Sequence, residues 1–172
     1  MGGKAVVLAI FIVGIAAAAA GVVYKYVASR QPLEMWGPAG IQVIQTAPTV
    51  ELLTLGMEPT PSEEGLKLGE QALHVRSRRD ISKAQGLIHH RHFLTERISY
   101  ADRPAVAKKL RNWQYAVRFH DEKKGEVVVL FELQQKLLGN LAAGREVRMS
   151  EKIAENWQRF ITRQLATEKA SL

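Results

Sequence analysis

Residues 5–24, AVVLAIFIVGIAAAAAGVVY, run for 20 positions without a charged side chain. As a helix such a run rises about 30 Å, the thickness of a bilayer's hydrocarbon core. Lipid offers no partner to backbone N–H and C=O groups, so a run of this kind predicts a helix. Lys4 precedes it, Lys25 and Arg30 follow, and Tyr24 and Tyr26 stand where interfacial aromatics belong. The pattern predicts a transmembrane signal-anchor over 5–24, with a short flank at 1–4 and a juxtamembrane segment at 25–34. The rival readings are a cleaved signal peptide and a buried core helix. Ala16 to Ala20 offers small residues to a peptidase, but the apolar run continues through Val22 and Val23, beyond an h-region of ~7–15 residues. No polar residue marks an outer face, as an ordinary core helix would show. The flanking charges nearly tie, which leaves orientation open. The expected placement is single-pass in a bacterial inner membrane, bilayer contact through 5–24, with the C-terminal domain extracytoplasmic. Ala17 and Gly21 form a small-xxx-small pair at which two such helices can approach, so a homo-oligomer stays open.

The chain has 172 residues, and 35–167 suffice for one compact domain, leaving 168–172 as a tail. With no cysteine there is no disulfide scaffold, Cys-based zinc site or thiol nucleophile. The +7 net charge is uneven: −5 over 31–66, +8 over 67–124 and +1 over 125–172.

Period and turn chemistry predict an α+β domain: an antiparallel β-meander packed by a C-terminal amphipathic helix and one or two further helices. A short helix over 38–45, led by Trp36, is expected to pack on the domain. Residues 50–55 read as a buried strand, 58–65 as a solvated loop, and 66–79 as one or two strands broken at Gly69. Ser82 to Gln85 has capping-box spacing, which predicts a helix from there to about Arg97. A short helix is expected over 104–112. From 113 the period is two: Trp113, Tyr115, Val117 and Phe119 face one way. Residues 121–125 make a polar turn into 126–133, EVVVLFEL, apolar on both faces and hence central in its sheet. Two further strands are expected over 134–141 and 145–149. Ser150 caps a last helix whose Ile153, Trp157, Phe160, Ile161 and Leu165 form an apolar stripe.

The most conspicuous chemical cluster is IHHRHFLTE. On a helix His89, His92 and Glu96 share one face, a spacing at which imidazoles and a carboxylate can hold a transition metal. A polar helix face where histidines adjoin is the plainer reading. His74 and His120 fall on expected strands. Arg91 interrupts the apolar stripe Leu87, Leu94, Ile98, and a buried arginine requires a carboxylate or carbonyl partner. Arg76, Arg78, Arg79 and Lys83, and again Lys108, Lys109 and Arg111, are candidates for an anionic surface. No base-stacking motif accompanies them, which makes nucleic acid an unfavoured partner; a solvated charged face is the alternative. The sequence holds no phosphate loop, GxSxG elbow, nucleotide fingerprint or paired-carboxylate motif, so no cofactor is assigned and an enzyme is not the favoured class.

The spans MWGPAGIQVIQTAPTVELLTL, RRDISKAQGLIHHRHFL and NWQYAVRFHDEKKGEVVVLFEL together resemble a group of uncharacterised bacterial proteins with one N-terminal membrane helix and a small α+β domain. The resemblance implies that architecture and transfers no activity, substrate or site residue. The function expected is a non-enzymatic interaction or scaffold module at a membrane surface with a protein partner. The alternatives are a ligand or metal sensor using His89, His92 and Glu96, and an anionic lipid or nucleic-acid binder using 67–124.

Overall fold

The structure, a computed structural model, describes residues 3–56, 65–68, 71–107 and 111–169, with side chains in the first helix described at 7, 10–22 and 30–46. Helix α1 (Gly3–Thr46) leads into strand β1 (Thr49–Gly56), followed by β2 (Gly65–Leu68) and β3 (Gln71–Asp80). Helix α2 (Leu87–Thr95) and a 3-10 turn (Arg97–Ser99) precede β4 (Ala105–Val106). Strands β5 (Tyr115–Asp121), β6 (Gly125–Glu132), β7 (Leu137–Asn140) and β8 (Arg145–Arg148) run into helix α3 (Glu151–Lys169).

The eight strands form one antiparallel sheet in the order β2-β3-β1-β5-β6-β7-β8-β4. Alternation sorts the strand side chains to two faces. Val50, Leu52, Val117, Phe119, Val129 and Phe131 meet the helices; Leu53, Ala116, Val128 and Leu130 join Trp113, Leu66 and Leu73 on the opposite face. The sheet curls around that second cluster. Arg111 makes the closure visible: its backbone N–H donates to Gln71 Oε1 on β3 (3.2 Å), and its guanidinium donates to both Glu146 oxygens on β8 (2.7 and 3.1 Å). Four strands lie between β3 and β8 in the sheet order.

On the helix side, α3 buries Ile153, Trp157, Phe160 and Ile161, with Leu165 partly buried, as its stripe predicts. Helix α1 is broken at Gly37 (φ 67°, ψ 168°), a backbone that favours glycine. Pro38 lacks an N–H, so the Glu34 carbonyl four residues back loses its helical donor. Arg145 Nη1 donates to that carbonyl, and Asn140 Nδ2 donates to Met35 O (2.6 Å). Beyond the break Trp36 locks the helix to its neighbours: its indole N–H reaches Leu94 O (2.8 Å) and Tyr100 Oη (2.6 Å), and the Tyr100 hydroxyl donates to Leu94 O. Burial raises the Tyr100 pKa well above the ordinary phenol value, keeping it a neutral donor.

Several expectations are corrected. Among the described residues no helix is long and apolar enough to cross a membrane. The transmembrane helix and signal-anchor at 5–24, and with them single-pass inner-membrane localisation, are therefore not supported. The apolar run is one part of α1, which continues through Arg30, Gln31 and Glu34. The helix expected from Ser82 starts at Leu87 instead, because the Ser82 hydroxyl is engaged by the Val50 N–H (2.8 Å) and donates to Asp80 Oδ1 (2.6 Å). The helix expected over 104–112 is strand β4 at 105–106, paired with β8; 108–110 lie outside the described residues. Trp113 belongs to the face opposite Val117 and Phe119, because strand geometry begins only at Tyr115. The loop expected at 58–65 falls almost wholly outside the described residues, as does Gly69.

Candidate functional site

Helix α2 is the short element that carries the histidine cluster. Gly86, in a left-handed conformation (φ 88°), starts it, and Leu87, His90 and Leu94 turn inward. Arg91 is half-buried; its Nη2 donates to Ala47 O (2.8 Å), its Nη1 to Gln45 O (3.2 Å), and its guanidinium lies 5.6 Å from the Phe119 ring centroid. The arginine thus satisfies carbonyls at the end of α1, where the helix dipole favours a cation. Burial lowers its pKa from the ordinary guanidinium value.

His90 sits in an aromatic nest. Its ring stacks on Phe160 (4.2 Å between centroids) and meets Trp157 (4.8 Å) and Phe93 (5.7 Å) edge-on. Nδ1 is 2.9 Å from Gly86 O and Nε2 is 3.4 Å from Asn156 O. Both neighbours are acceptors, and a neutral imidazole can donate to only one; the shorter contact assigns the proton to Nδ1. Burial pushes the His90 pKa down, the Gly86 and Asn156 contacts oppose that, and the nearby Arg163 and His89 charges reinforce it.

Outward, α2 presents Ile88, 74% exposed, with His89 and His92 beside it. Three depressions surround this face. The largest, about 590 Å³, lies between α2 and α3 and is lined by His89, His90, Phe93, Asn156, Arg159 and Arg163. A second, about 300 Å³, is lined by Gln45, Ile88, His89, Arg91 and His92. A third, about 290 Å³, is bordered by Lys83, Ile88 and Arg91. Among the described residues, no carboxylate lines any of the three.

Of the expected metal ligands, His92 Nε2 and Glu96 Oε1 lie 3.3 Å apart as an exposed pair one turn apart, and His89 projects toward the depressions. Among the described residues no group of three or more His, Asp or Glu side chains gathers as a metal site would. His74 and His120 stand on β3 and β5, away from α2 in sequence and element.

The basic residues singled out from the sequence are dispersed. Arg111 is engaged by Glu146, which raises its pKa. Arg78 and Arg118 flank Glu51 (3.6 Å each), and Arg76 lies so close over Gly56 that a Cβ there would overlap its guanidinium. Arg79 is half-buried with Nη1 unpaired; Lys83 is exposed and borders the third depression; Lys108 and Lys109 lie outside the described residues. Among the described residues of that set, only Lys83 joins the α2 surface. Arg91 borders the same depression as Lys83, whereas Arg159 and Arg163, both on α3, line the depression between α2 and α3. Arg159 and Arg163 stand at i, i+4 on α3, a spacing readable in the sequence.

No protein-family model, no curated protein and no solved structure matches this chain. The likeness drawn from the three quoted spans is left without a relative to carry it.

Proposed function

We propose that this chain is a non-enzymatic interaction module and that the outward face of α2 is its docking surface. The partner that fits is a protein segment with an apolar anchor flanked by acidic side chains. One observation carries the reading: Ile88, 74% exposed, borders two depressions whose charged lining is cationic. An exposed apolar centre inside a charged rim is the usual arrangement of a docking patch, where burial supplies affinity and rim charges supply encounter rate and selectivity. The His92–Glu96 pair supports the polar rim.

Proximity labelling in cells that produce the chain tests this. The wild-type chain is compared with Lys83→Glu/Ile88→Glu, both positions being exposed and tolerant of change. The expected result is a set of labelled proteins lost in the variant, with acidic segments among them. Identical labelling by both chains would remove α2 as the docking face.

A further inference from the structure

Resting on the docking face of α2 assigned above, we infer that the chain pairs with a second copy of itself, segment 57–64 of each copy occupying the α2 face of the other. That face selects an apolar anchor beside acidic side chains. Residues 57–64, MEPTPSEE, lie outside the described residues, and their composition matches: Met57, Pro59 and Pro61 alternate with or adjoin Glu58, Glu63 and Glu64, and there is no base. The chain's charge is divided in the same sense, −5 over 31–66 and +8 over 67–124, the stretch that holds α2. The cations that meet the acids are Lys83 and Arg91. Arg91 donates to the Gln45 and Ala47 carbonyls, which are neutral and leave its charge uncancelled. Among the described residues no carboxylate lines the two depressions beside Ile88. The prolines have φ fixed beforehand, which lowers the entropy lost when the segment is held.

Reach excludes the segment of the same copy. Gly56 pairs with His74 on one side of β3 and Gly65 pairs with it on the other, so both ends of the segment are anchored at one end of the sheet, about 10 Å apart. The α2 face lies at the opposite end of β1. Ile88 shares a depression with Gln45, and Arg91 reaches Ala47 O, both residues preceding Thr49, where β1 starts. The eight residues of β1 separate Thr49 from Gly56 by about 23 Å. Eight residues tethered at both ends extend at most about 15 Å from their anchors, which falls short. A second copy placed antiparallel across a two-fold axis brings each segment to the other's α2, makes both contacts at once and closes the assembly as a dimer.

Photo-crosslinking in the purified full chain tests this. Chains carrying Ile88→p-benzoylphenylalanine are mixed with ¹⁵N-labelled chains of natural sequence, and the joined peptides are read by mass. At chain concentrations of about 10–100 μM, pairs that mix light and heavy nitrogen and join position 88 to 57–64 are expected, fewer as salt rises. Glu58→Lys/Glu63→Lys/Glu64→Lys in the labelled chain is expected to cut their yield at least about fivefold, with circular dichroism unchanged. Lys83→Glu in the probe-bearing chain should restore that yield at least about twofold, which a misfolded segment would not allow. Mixed pairs that join 88 to any other stretch, pairs within one chain only, or no pairs up to about 100 μM overturn the inference. The docking face itself is judged by the labelling in cells. Partner proteins lost there on altering Lys83 and Ile88, with no mixed pairs here, overturn the self-pairing alone; identical labelling with no mixed pairs removes both.

Discussion

Replacing Gly139 by alanine should destabilise the domain, although the backbone argument alone predicts the reverse. Gly139 lies on β7 opposite Leu130, and its φ is not in the left-handed region. Gly→Ala at such a strand position ordinarily stabilises by about 0.4–1 kcal/mol, because the unfolded chain loses freedom. Here the added Cβ would stand 3.0 Å from Trp113 Cη2, 3.1 Å from Leu130 Cβ and 3.2 Å from Trp113 Cζ2. Trp113 is 1% exposed and Leu130 is wholly buried, so neither can move aside without disturbing the enclosed cluster. Overpacking of a tight core costs about 1–3 kcal/mol, which outweighs the entropic gain and leaves a net loss of about 1–2 kcal/mol. With a urea m-value of about 2 kcal/mol/M, the unfolding midpoint should fall by about 0.5–1 M at unchanged m. Trp113→Phe withdraws both indole atoms. The double variant should therefore be less destabilised than the sum of the singles by at least about 0.5 kcal/mol. An unchanged or raised midpoint for Gly139→Ala would refute the packing described for the inner face of the sheet.

Two further perturbations probe the helix side. Burial holds the His90 pKa below its ordinary value of about 6.5, so the unfolded chain takes up that proton at higher pH than the folded one. Stability from this group is complete above pH ~6.5 and is lost as pH falls below it; urea midpoints measured across that range should show the slope, and His90→Phe should flatten it. Asn140→Ala and Arg145→Ala each leave a carbonyl at the Gly37 break without its donor, Met35 O and Glu34 O respectively. Each should cost about 1–3 kcal/mol in urea unfolding, and a loss below about 0.3 kcal/mol would show that water serves those carbonyls equally well.

What the sequence made legible follows from range. Strand periods over 50–55, 113–120 and 126–133 and the α3 stripe depend on neighbours within a few residues, and strands and a helix stand there, with Trp113 the position that falls outside its strand. Ser82 misled because its hydroxyl bonds Val50, 32 residues away, and so is not at the helix start. The α2 stripe was misjudged by one position. Leu87, His90 and Leu94 are buried, Arg91 is half-buried, and Ile98 lies beyond the helix end and is 73% exposed. The spacing of 87, 90 and 94 was a signal available for the buried histidine. No local pattern reveals that Arg145 and Asn140 serve α1 across 111 and 105 residues. The same holds for the α2–α3 groove, whose lining comes from segments about 70 residues apart. The apolar run in α1 was legible as composition and as helix; Ile10, Phe11, Val13 and Ile15 are exposed along it, a state that sequence period alone does not specify.

The docking face is tested most directly by photo-crosslinking from two exposed positions of the full chain, Ile88 on α2 and Val106 on the edge strand β4. The account predicts that a crosslinker at 88 captures a discrete partner, that competing acidic peptide abolishes the capture, and that the same probe at 106 captures nothing in common with it. Capture of the same partner from 106, or none from 88 while 106 succeeds, would contradict the account and move the interaction surface to the sheet edge.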